Sequence, residues 1–599
     1  MTDPYQVFRG SLPDVCPRDA TRMVFVGNAG GRCEVFAWDA TARRSRQVTD
    51  RAGGTAHCAI DADGYVWWFE DDAEGRGRWW YQAFEGGPRL PGLPGAPAGQ
   101  TRGLAVAPNG TVATAVADSH GTTVLVGQRG RVARELLRTP TPVRLAGLSA
   151  TGDLVAVAAA PGAGAALTVL TTHGESPAVL PGPEGPATRL WCLGFSPRHG
   201  DRSLLLVQEN GHRYVLGTWT PEAGLTTHPW CSFDTEVTAR WYPDGRAVLV
   251  RQERHGRSLL HRVDLRTRRR THIPAPAGSL LDAAPRAGGS LHYVWTDTAH
   301  PPELRTTDGV ALPPAGAATL VPGRHTALWT PTADGPVHTL LSLPEAHGTA
   351  APPPAVFLVH GGPADHDRDA YDATVHSLAA SGYAVVRVNY RGSTGYGPDW
   401  RRAFTDGIGH TQVRDLVAVR ADLVRRRLIA EQAVALWGVS WGGYLVLLAL
   451  GTQPGLWQAG VAVKPVADWV AAHRSTTPAL RALDVRMFGG TPDEVPERYA
   501  RSSPLTYAAD ITEPLLMVGA TKDTKCPPGQ IRAYLKALDE AGVRHEAMWL
   551  DTGHDGYDGA AHVAVLRRSL RFLHTHLPAA RQPAGHQRPP ARTGGSRSH

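Results

Sequence analysis

The sequence predicts a chain of mixed β and α/β class: an N-terminal seven-bladed β-propeller followed by a C-terminal α/β-hydrolase domain. Three observations lead there. Turn-forming tetrapeptides recur at a nearly constant interval through the first half. In the second half a Gly-x-Ser-x-Gly pentapeptide lies between an apolar run and a helix-like run. Acidic and histidine candidates then follow two later apolar runs, in the chain order that such a domain uses.

The propeller reading rests on the interval. Short apolar runs flank Asp61-Ala62-Asp63-Gly64, Ala107-Pro108-Asn109-Gly110, Ser149-Ala150-Thr151-Gly152, Ser196-Pro197-Arg198-His199-Gly200, Tyr242-Pro243-Asp244-Gly245 and Pro285-Arg286-Ala287-Gly288-Gly289. The turn glycines at 64, 110, 152, 200, 245 and 289 are 46, 42, 48, 45 and 44 residues apart. An unmarked unit around Met23-Val24-Phe25-Val26-Gly27 fits one step earlier, which makes seven units of four short strands. A pair of β-sandwiches with turns spaced by chance is the competing reading, and the regular interval opposes it.

In the second half, Ala433-Val434-Ala435-Leu436-Trp437 reads as a buried strand and Gly443-Tyr444-Leu445-Val446-Leu447-Leu448-Ala449-Leu450 as a helix. Between them, Gly438-Val439-Ser440-Trp441-Gly442 has the context of a nucleophile elbow, where glycines allow the sharp turn that lifts a serine hydroxyl clear of the sheet. A serine hydroxyl becomes a nucleophile only when a histidine takes its proton, and a carboxylate must fix the tautomer of that histidine. Asp523 follows the run Leu515-Leu516-Met517-Val518-Gly519. His554 follows Glu546-Ala547-Met548-Trp549-Leu550 in a Gly-His-Asp-Gly loop. Asp551 and Asp555 compete with Asp523 and read better as a loop or capping residue and a turn former. Ala355-Val356-Phe357-Leu358-Val359 is an earlier strand, and His360-Gly361-Gly362-Pro363 after it offers backbone N–H groups to an oxyanion. Gly362 and Trp441, the residue after the nucleophile, are the expected donors. An ordinary Gly-Gly-Pro turn is the plainer alternative.

With these segments placed, the run from about Leu320 to Leu577 resembles the prolyl oligopeptidase family of serine peptidases. The resemblance is carried by His360-Gly361-Gly362-Pro363, by Asn389-Tyr390-Arg391-Gly392-Ser393-Thr394-Gly395-Tyr396-Gly397, and by Gly438-Val439-Ser440-Trp441-Gly442-Gly443-Tyr444. Met487-Phe488-Gly489-Gly490 and Arg501-Ser502-Ser503-Pro504-Leu505 extend it. These forms look most like the acylaminoacyl-peptidase and dipeptidyl-peptidase branches. The chain departs from the family pattern at Trp441, where a tyrosine is more usual, and at Lys525 and Cys526, where a valine or asparagine is usual. The resemblance implies propeller plus hydrolase as the architecture. It also implies a hydrophobic specificity pocket lined by the stretch Lys464-Pro465-Val466-Ala467-Asp468-Trp469, with Val466 and Trp469 as wall residues and Tyr444 beside them. A core role for Trp469 is the alternative. Exopeptidases of the family hold the substrate α-ammonium with acids. By that resemblance, Glu70 or Asp71 in Trp67-Trp68-Phe69-Glu70-Asp71-Asp72 is the candidate, set against the plain reading of acids in a blade turn.

Length and charge set the frame. A chain of 599 residues exceeds a single core and predicts two domains. The expected division is 1–320 propeller, 321–577 hydrolase, and 578–599 a disordered basic tail rich in Pro, Arg, Gly and Ser. Proline pairs at 301–302 and 313–314 punctuate the boundary. A net charge of +7 would suit nucleic acid, but the arginines are scattered, with one dense cluster at Arg266–Arg270 that reads as a solvated blade turn. No metal or phosphate motif appears, and no cofactor, nucleic-acid or membrane partner is expected. Six cysteines without a C-x-x-C pair, and a polar start without a signal or span pattern, lead to the expectation of a reduced cytoplasmic protein. The expected activity is hydrolysis of amide bonds in small peptides or aminoacyl compounds, as an exo-acting aminopeptidase or acylaminoacyl-type peptidase. Two alternatives stand: a specialised amidase acting on an aminoacyl-nucleoside antibiotic, and a non-catalytic propeller platform. The sequence is silent on oligomeric state.

Overall fold

The repeated turns of the sequence are hairpin turns of the structure, a computed structural model. It describes residues 11–577 apart from 30–31, 73, 160–164, 182–188, 315–318, 346–350, 405–406 and 555–558. Asp555 and the 578–599 tail therefore lie outside the described residues. In the turns, the N–H of Gly64 donates to Asp61 O at 3.0 Å, and those of Gly110, Gly152 and Gly245 donate to Ala107, Ser149 and Tyr242 O at 2.9 Å each. These four glycines have φ of 82°, 82°, 73° and 65°, a region that glycine enters without steric cost. Each turn joins the first two strands of its unit, so the sequence interval is the interval between successive strand units.

The N-terminal half is a propeller, but its strands do not form seven separate sheets. Five sheets stand apart as blades, built from 14–47, 143–181, 190–233, 237–273 and 279–306, the last with three strands. The sixth sheet has eight strands and runs from Cys58–Ile60 to Arg134–Thr139. Its halves join where Arg76 pairs with Gln100 and Gly77 with Gly99. Two glycines face each other at that junction, and a Cβ on Gly77 would lie 1.9 Å from Glu70 O. Each glycine also fits closely against the neighbouring strand of its own half, Gly77 at Glu70 O and Gly99 at Ala117 O. Neighbouring sheets pack through branched apolar residues: Leu154, Ala156, Leu167 and Val169 of one meet Phe195, Leu204 and Leu206 of the next. The arginine-rich strand Arg269–Ile273 lies at an outer edge and is mostly exposed.

The hydrolase sheet has eight strands: β1 (Arg324–Thr330), β2 (Val337–Leu343), β3 (Ala355–Val359), β4 (Ala384–Asn389), β5 (Val434–Val439), β6 (Ala459–Val463), β7 (Leu515–Ala520) and β8 (His545–Leu550). Their spatial order is β1-β2-β4-β3-β5-β6-β7-β8, antiparallel through β1, β2 and β4 and parallel from β4 onward. The parallel strands are near-continuous apolar runs because helices cover both faces. Phe357, Val386, Leu436 and Met517 point into one core, and their neighbours Val356, Val385, Ala435 and Val518 into the other. The helix α1 (Trp441–Thr452) is apolar almost all round, and every residue from Trp441 to Gly451 is buried. No helix among the described residues is long and apolar enough to cross a membrane.

The propeller grips loops at the carboxyl ends of β3 and β4. Glu209 is fully buried and accepts from Arg401 and, at 2.8 Å, from Arg402. Glu236 accepts the Gly395 N–H at 2.6 Å, and Gly395 O accepts from His255 N–H at 3.0 Å. Gly397 passes so close that a Cβ would lie 2.4 Å from Asp234 O. The segment from Asn389 to Arg402 is therefore a docking strap between the domains. A buried carboxylate that loses a partner is costly, about 3–5 kcal/mol. Arg401→Ala is expected to lower the melting temperature by several degrees and to split the calorimetric transition into two. Arg474→Ala, which removes an exposed pair with Asp493, is the control and should shift stability by no more than about 0.5 kcal/mol. Equal effects of the two substitutions would remove the strap from this role.

Candidate active site

The site begins with the backbone at Ser440. It has φ 58° and ψ −118°, between the end of β5 and the first turn of α1. Its N–H donates to Val463 O on β6 at 2.8 Å, and its carbonyl accepts from Tyr444 N–H at 2.9 Å. The glycines around it have steric reasons to be there. A Cβ on Gly438 would lie 2.2 Å from the Gly442 carbonyl carbon, and one on Gly442 would lie 1.9 Å from Val359 O. Strand and helix can meet at this angle only without those side chains.

Two loops at the same sheet edge bring the partners. His554 Nε2 lies 2.9 Å from Ser440 Oγ, and His554 Nδ1 lies 2.7 Å from Asp523 Oδ2. An ionised carboxylate only accepts, so Nδ1 carries the proton and Nε2 is left as acceptor for the serine hydroxyl. Asp523 is itself fixed: its other oxygen accepts the N–H groups of Lys525 at 2.9 Å and Cys526 at 2.8 Å. The Asp523 carboxylate is buried and the His554 ring nearly so. This is the geometry of a histidine able to take the proton of a serine. Asp551, the competing acid, is instead exposed and pairs with Lys522 at 3.0 Å.

The His-Gly-Gly-Pro loop passes beside Ser440 at Gly361. A Cβ there would lie 3.3 Å from Val439 O and 3.8 Å from Ser440 Cβ. Gly362, the residue expected to donate, has φ 134°. Trp441 opens α1, where helical N–H groups have no intrahelical acceptor and are free for an anion. Trp441, Tyr444, Val466, Trp469 and Phe488 form one apolar cluster. Trp441 and Trp469 meet edge to face at 5.6 Å, and Trp469 and Phe488 at 5.3 Å. Tyr444 is fully buried with its hydroxyl donating to Ile408 O at 3.2 Å, so it supports this wall from behind.

The two propeller acids are differently placed from expectation. Glu70 accepts from Arg89 at 2.8 Å, and Asp71 pairs with Arg51 at 3.2 Å. Arginines neutralise both, which works against a free anionic site for an ammonium. The carboxyl, thiol and imidazole of Asp523, Cys526 and His554 lie within 4.8 Å of one another, a donor set that a soft metal ion accepts. The same atoms already hold the Ser440 hydrogen-bond chain, and burial beside Asp523 raises the Cys526 thiol far above its ordinary value, against thiolate ligation. Sequence reasoning placed Lys464 only at the head of the stretch expected to line the specificity pocket. It is buried just past β6, and its ammonium donates to the carbonyls of Gly553 and His554 at 2.8 Å each.

Comparison with known proteins agrees with this geometry. Residues 369–579 match the prolyl oligopeptidase family. This domain belongs to the prolyl oligopeptidase family. Among curated relatives, dipeptidyl aminopeptidase BIII of Pseudoxanthomonas mexicana is 31% identical over 210 residues, covering 34% of this chain and 30% of that protein. Rat acylamino-acid-releasing enzyme is 27% identical over 230 residues, 37% of this chain and 31% of that protein. The chain thus spans about a third of the length of the curated relatives it matches. Whole-chain likeness comes from solved structures. A puromycin hydrolase superposes with a TM-score of 0.79 at 19% identity, covering 97% of both chains. Pyrococcus horikoshii acylaminoacyl peptidase superposes at 0.75 and 17% identity, covering 94% of this chain and 95% of that one. At such identities these likenesses concern the fold.

Within this prolyl oligopeptidase domain, the loop after His360 carries an unusual carboxyl. Asp367 Oδ2 is buried without a hydrogen-bond partner, and burial raises the group to about 7, with Arg387 and Arg368 opposing and Asp372 and Asp365 adding to the shift. A folded-state value above the unfolded one means that the folded protein binds the extra proton between about pH 4 and 7. Stability from this group is present at the acid end and is lost as pH rises through that window. Asp367→Asn removes the charge while keeping the shape. Its melting temperature should exceed that of the wild type by about 2–4 °C at pH 8, and the gap should narrow through the window and close near pH 4. A gap independent of pH would show that ionisation is not the cause.

Proposed function

We propose that this chain is a serine peptidase that hydrolyses amide bonds of small peptides or aminoacyl compounds. The observation that carries the reading is the hydrogen-bond chain from Ser440 through His554 to Asp523. Ser440 Oγ attacks the carbonyl carbon while His554 Nε2 takes its proton. Asp523 holds the imidazole in the required tautomer and offsets its charge. His554 then returns the proton to the leaving amine, and water repeats the sequence on the acyl-serine. The N–H groups of Trp441 and of the Gly361–Gly362 segment are the oxyanion donors in this scheme. Val466, Trp469 and Phe488 supply an apolar surface for the side chain next to the cleaved bond. The likeness to acylamino-acid-releasing enzymes and a dipeptidyl aminopeptidase supports an exo-acting peptidase. Nothing favours an amidase for aminoacyl-nucleosides over it, and the intact hydrogen-bond chain speaks against a non-catalytic platform. We place the domain division near residue 320, just before β1.

Ser440→Ala is expected to reduce kcat by about 10³-fold or more with an unchanged melting temperature. A panel of aminoacyl-arylamides, free and N-acylated, together with fluorophosphonate labelling, reads this directly. Residual activity within tenfold of the wild type, or label on another serine, overturns the assignment.

The propeller meets loops from the same sheet edge as the triad, so it stands over the approach to Ser440. In this reading kcat/KM falls steeply with peptide length, by at least about tenfold between five and thirty residues, because short unfolded chains alone pass the gap between domains. Equal cleavage of both lengths from one fixed cleavable end would rule out gating and leave the triad assignment standing.

A further inference from the structure

We propose that Lys464 is a positioning residue that holds His554 against Ser440, an inference that rests on reading His554 as the base for that serine. Lys464 follows Val463, whose carbonyl accepts the Ser440 N–H at 2.8 Å. The chain then turns sharply: Lys464 has φ 47°, a left-handed conformation that a lysine adopts only under constraint. Its own N–H donates to Val518 O on β7 at 2.6 Å, which pins the turn to the strand that leads to Asp523. From this anchor the side chain, fully buried, reaches the loop after β8 and donates to Gly553 O and His554 O at 2.8 Å each. One residue therefore ties together the backbone that orients Ser440, the strand that carries Asp523 and the peptide that carries His554.

The ammonium suits this task. It has three donors, so it can hold two successive carbonyls at once, and hydrogen bonds from a charged donor are the stronger kind. The stretch before Gly553 is tied to the loop after β7: Thr521 N–H donates to Leu550 O at 2.9 Å and Lys522 N–H to Thr552 O at 3.1 Å, and Gly553 follows without a side chain to pack. His554 itself has two ring bonds, one to each triad partner, so its main chain must be fixed from outside the triad. Without the clamp the imidazole keeps its bond to Asp523 and drifts from Ser440 Oγ. A displacement on the order of 1 Å in a reacting group lowers turnover by up to about 10²-fold. Lys464 touches no substrate atom in this scheme, so the loss falls on kcat.

The test uses the full chain with Lys464→Met, which keeps the length and apolar contacts of the stem, and Lys464→Arg, which keeps the charge and two donors. Fluorophosphonate labelling of Ser440 in the wild type is measured first. Without such labelling the hydrolase reading falls, and the clamp with it. With it, Lys464→Met should lower kcat and the labelling rate by about 10–100-fold, leave KM within twofold, and weaken the low-field Nδ1 proton resonance of His554. Lys464→Arg should recover kcat to within about tenfold of the wild type. Where Lys464→Met does not fold, Lys464→Gln, with a shorter neutral donor, is expected to give the same split. Unchanged kcat and labelling in a folded Met or Gln variant, or a loss confined to KM, overturns the clamp while leaving Ser440 as nucleophile.

Discussion

Ser440 holds a backbone conformation, φ 58° and ψ −118°, that costs a residue with a side chain on the order of 1–3 kcal/mol. The rest of the domain is arranged so that this cost is met. Parallel strands on either side fix the end of β5, α1 is buried along nearly its whole length, and glycines at 438 and 442 remove the side chains that would force strand and helix apart. The reward is a hydroxyl standing clear of the sheet, partly open, with its proton aimed at His554. Relaxing the turn by one side chain would move the hydroxyl, the Trp441 N–H and the start of α1 together.

The same sheet edge explains why distant segments of sequence meet. Strands β3, β5, β7 and β8 are parallel, so the loops that follow them emerge on one side. They carry the His-Gly-Gly-Pro segment, Ser440, Asp523 and His554 respectively. The loop after β4 emerges there too, and it is the docking strap on the propeller. The propeller is thus attached through Arg401, Arg402 and Gly395 to the neighbourhood of the site rather than to the back of the domain. Electrostatics and access are coupled by that placement: Glu209 and Glu236 serve the interface, while Glu70 and Asp71 are occupied by arginines within their own blade region.

Repeat spacing, the elbow pentapeptide and the order of serine, acid and histidine are local or one-dimensional properties, and they were legible in the chain. Turn glycines announce left-handed φ wherever they sit. A strand, tight turn and helix around Ser440 follow from apolar runs and glycine placement alone. The choice of Asp523 over Asp551 was also legible, because position relative to a strand end decides which acid faces the histidine loop. Other features were not. Joining of two strand sets into an eight-stranded sheet depends on pairing of Gly77 with Gly99, a contact between segments over twenty residues apart that no turn signal marks.

The sequence by itself determined the residue types that the hydrogen-bond chain from Ser440 through His554 to Asp523 requires, and their places just past the ends of strands. Tertiary structure alone decided which charges are free to act. Nothing in the order of residues around Lys464 tells that folding buries its ammonium and sets the carbonyls of Gly553 and His554 before it. A pair of acids beside tryptophans leaves both an ammonium site and a plain blade turn open until folding brings Arg51 and Arg89 to them. Charge interactions fall off with distance and depend on burial, and both quantities are set by contacts between residues far apart in the chain.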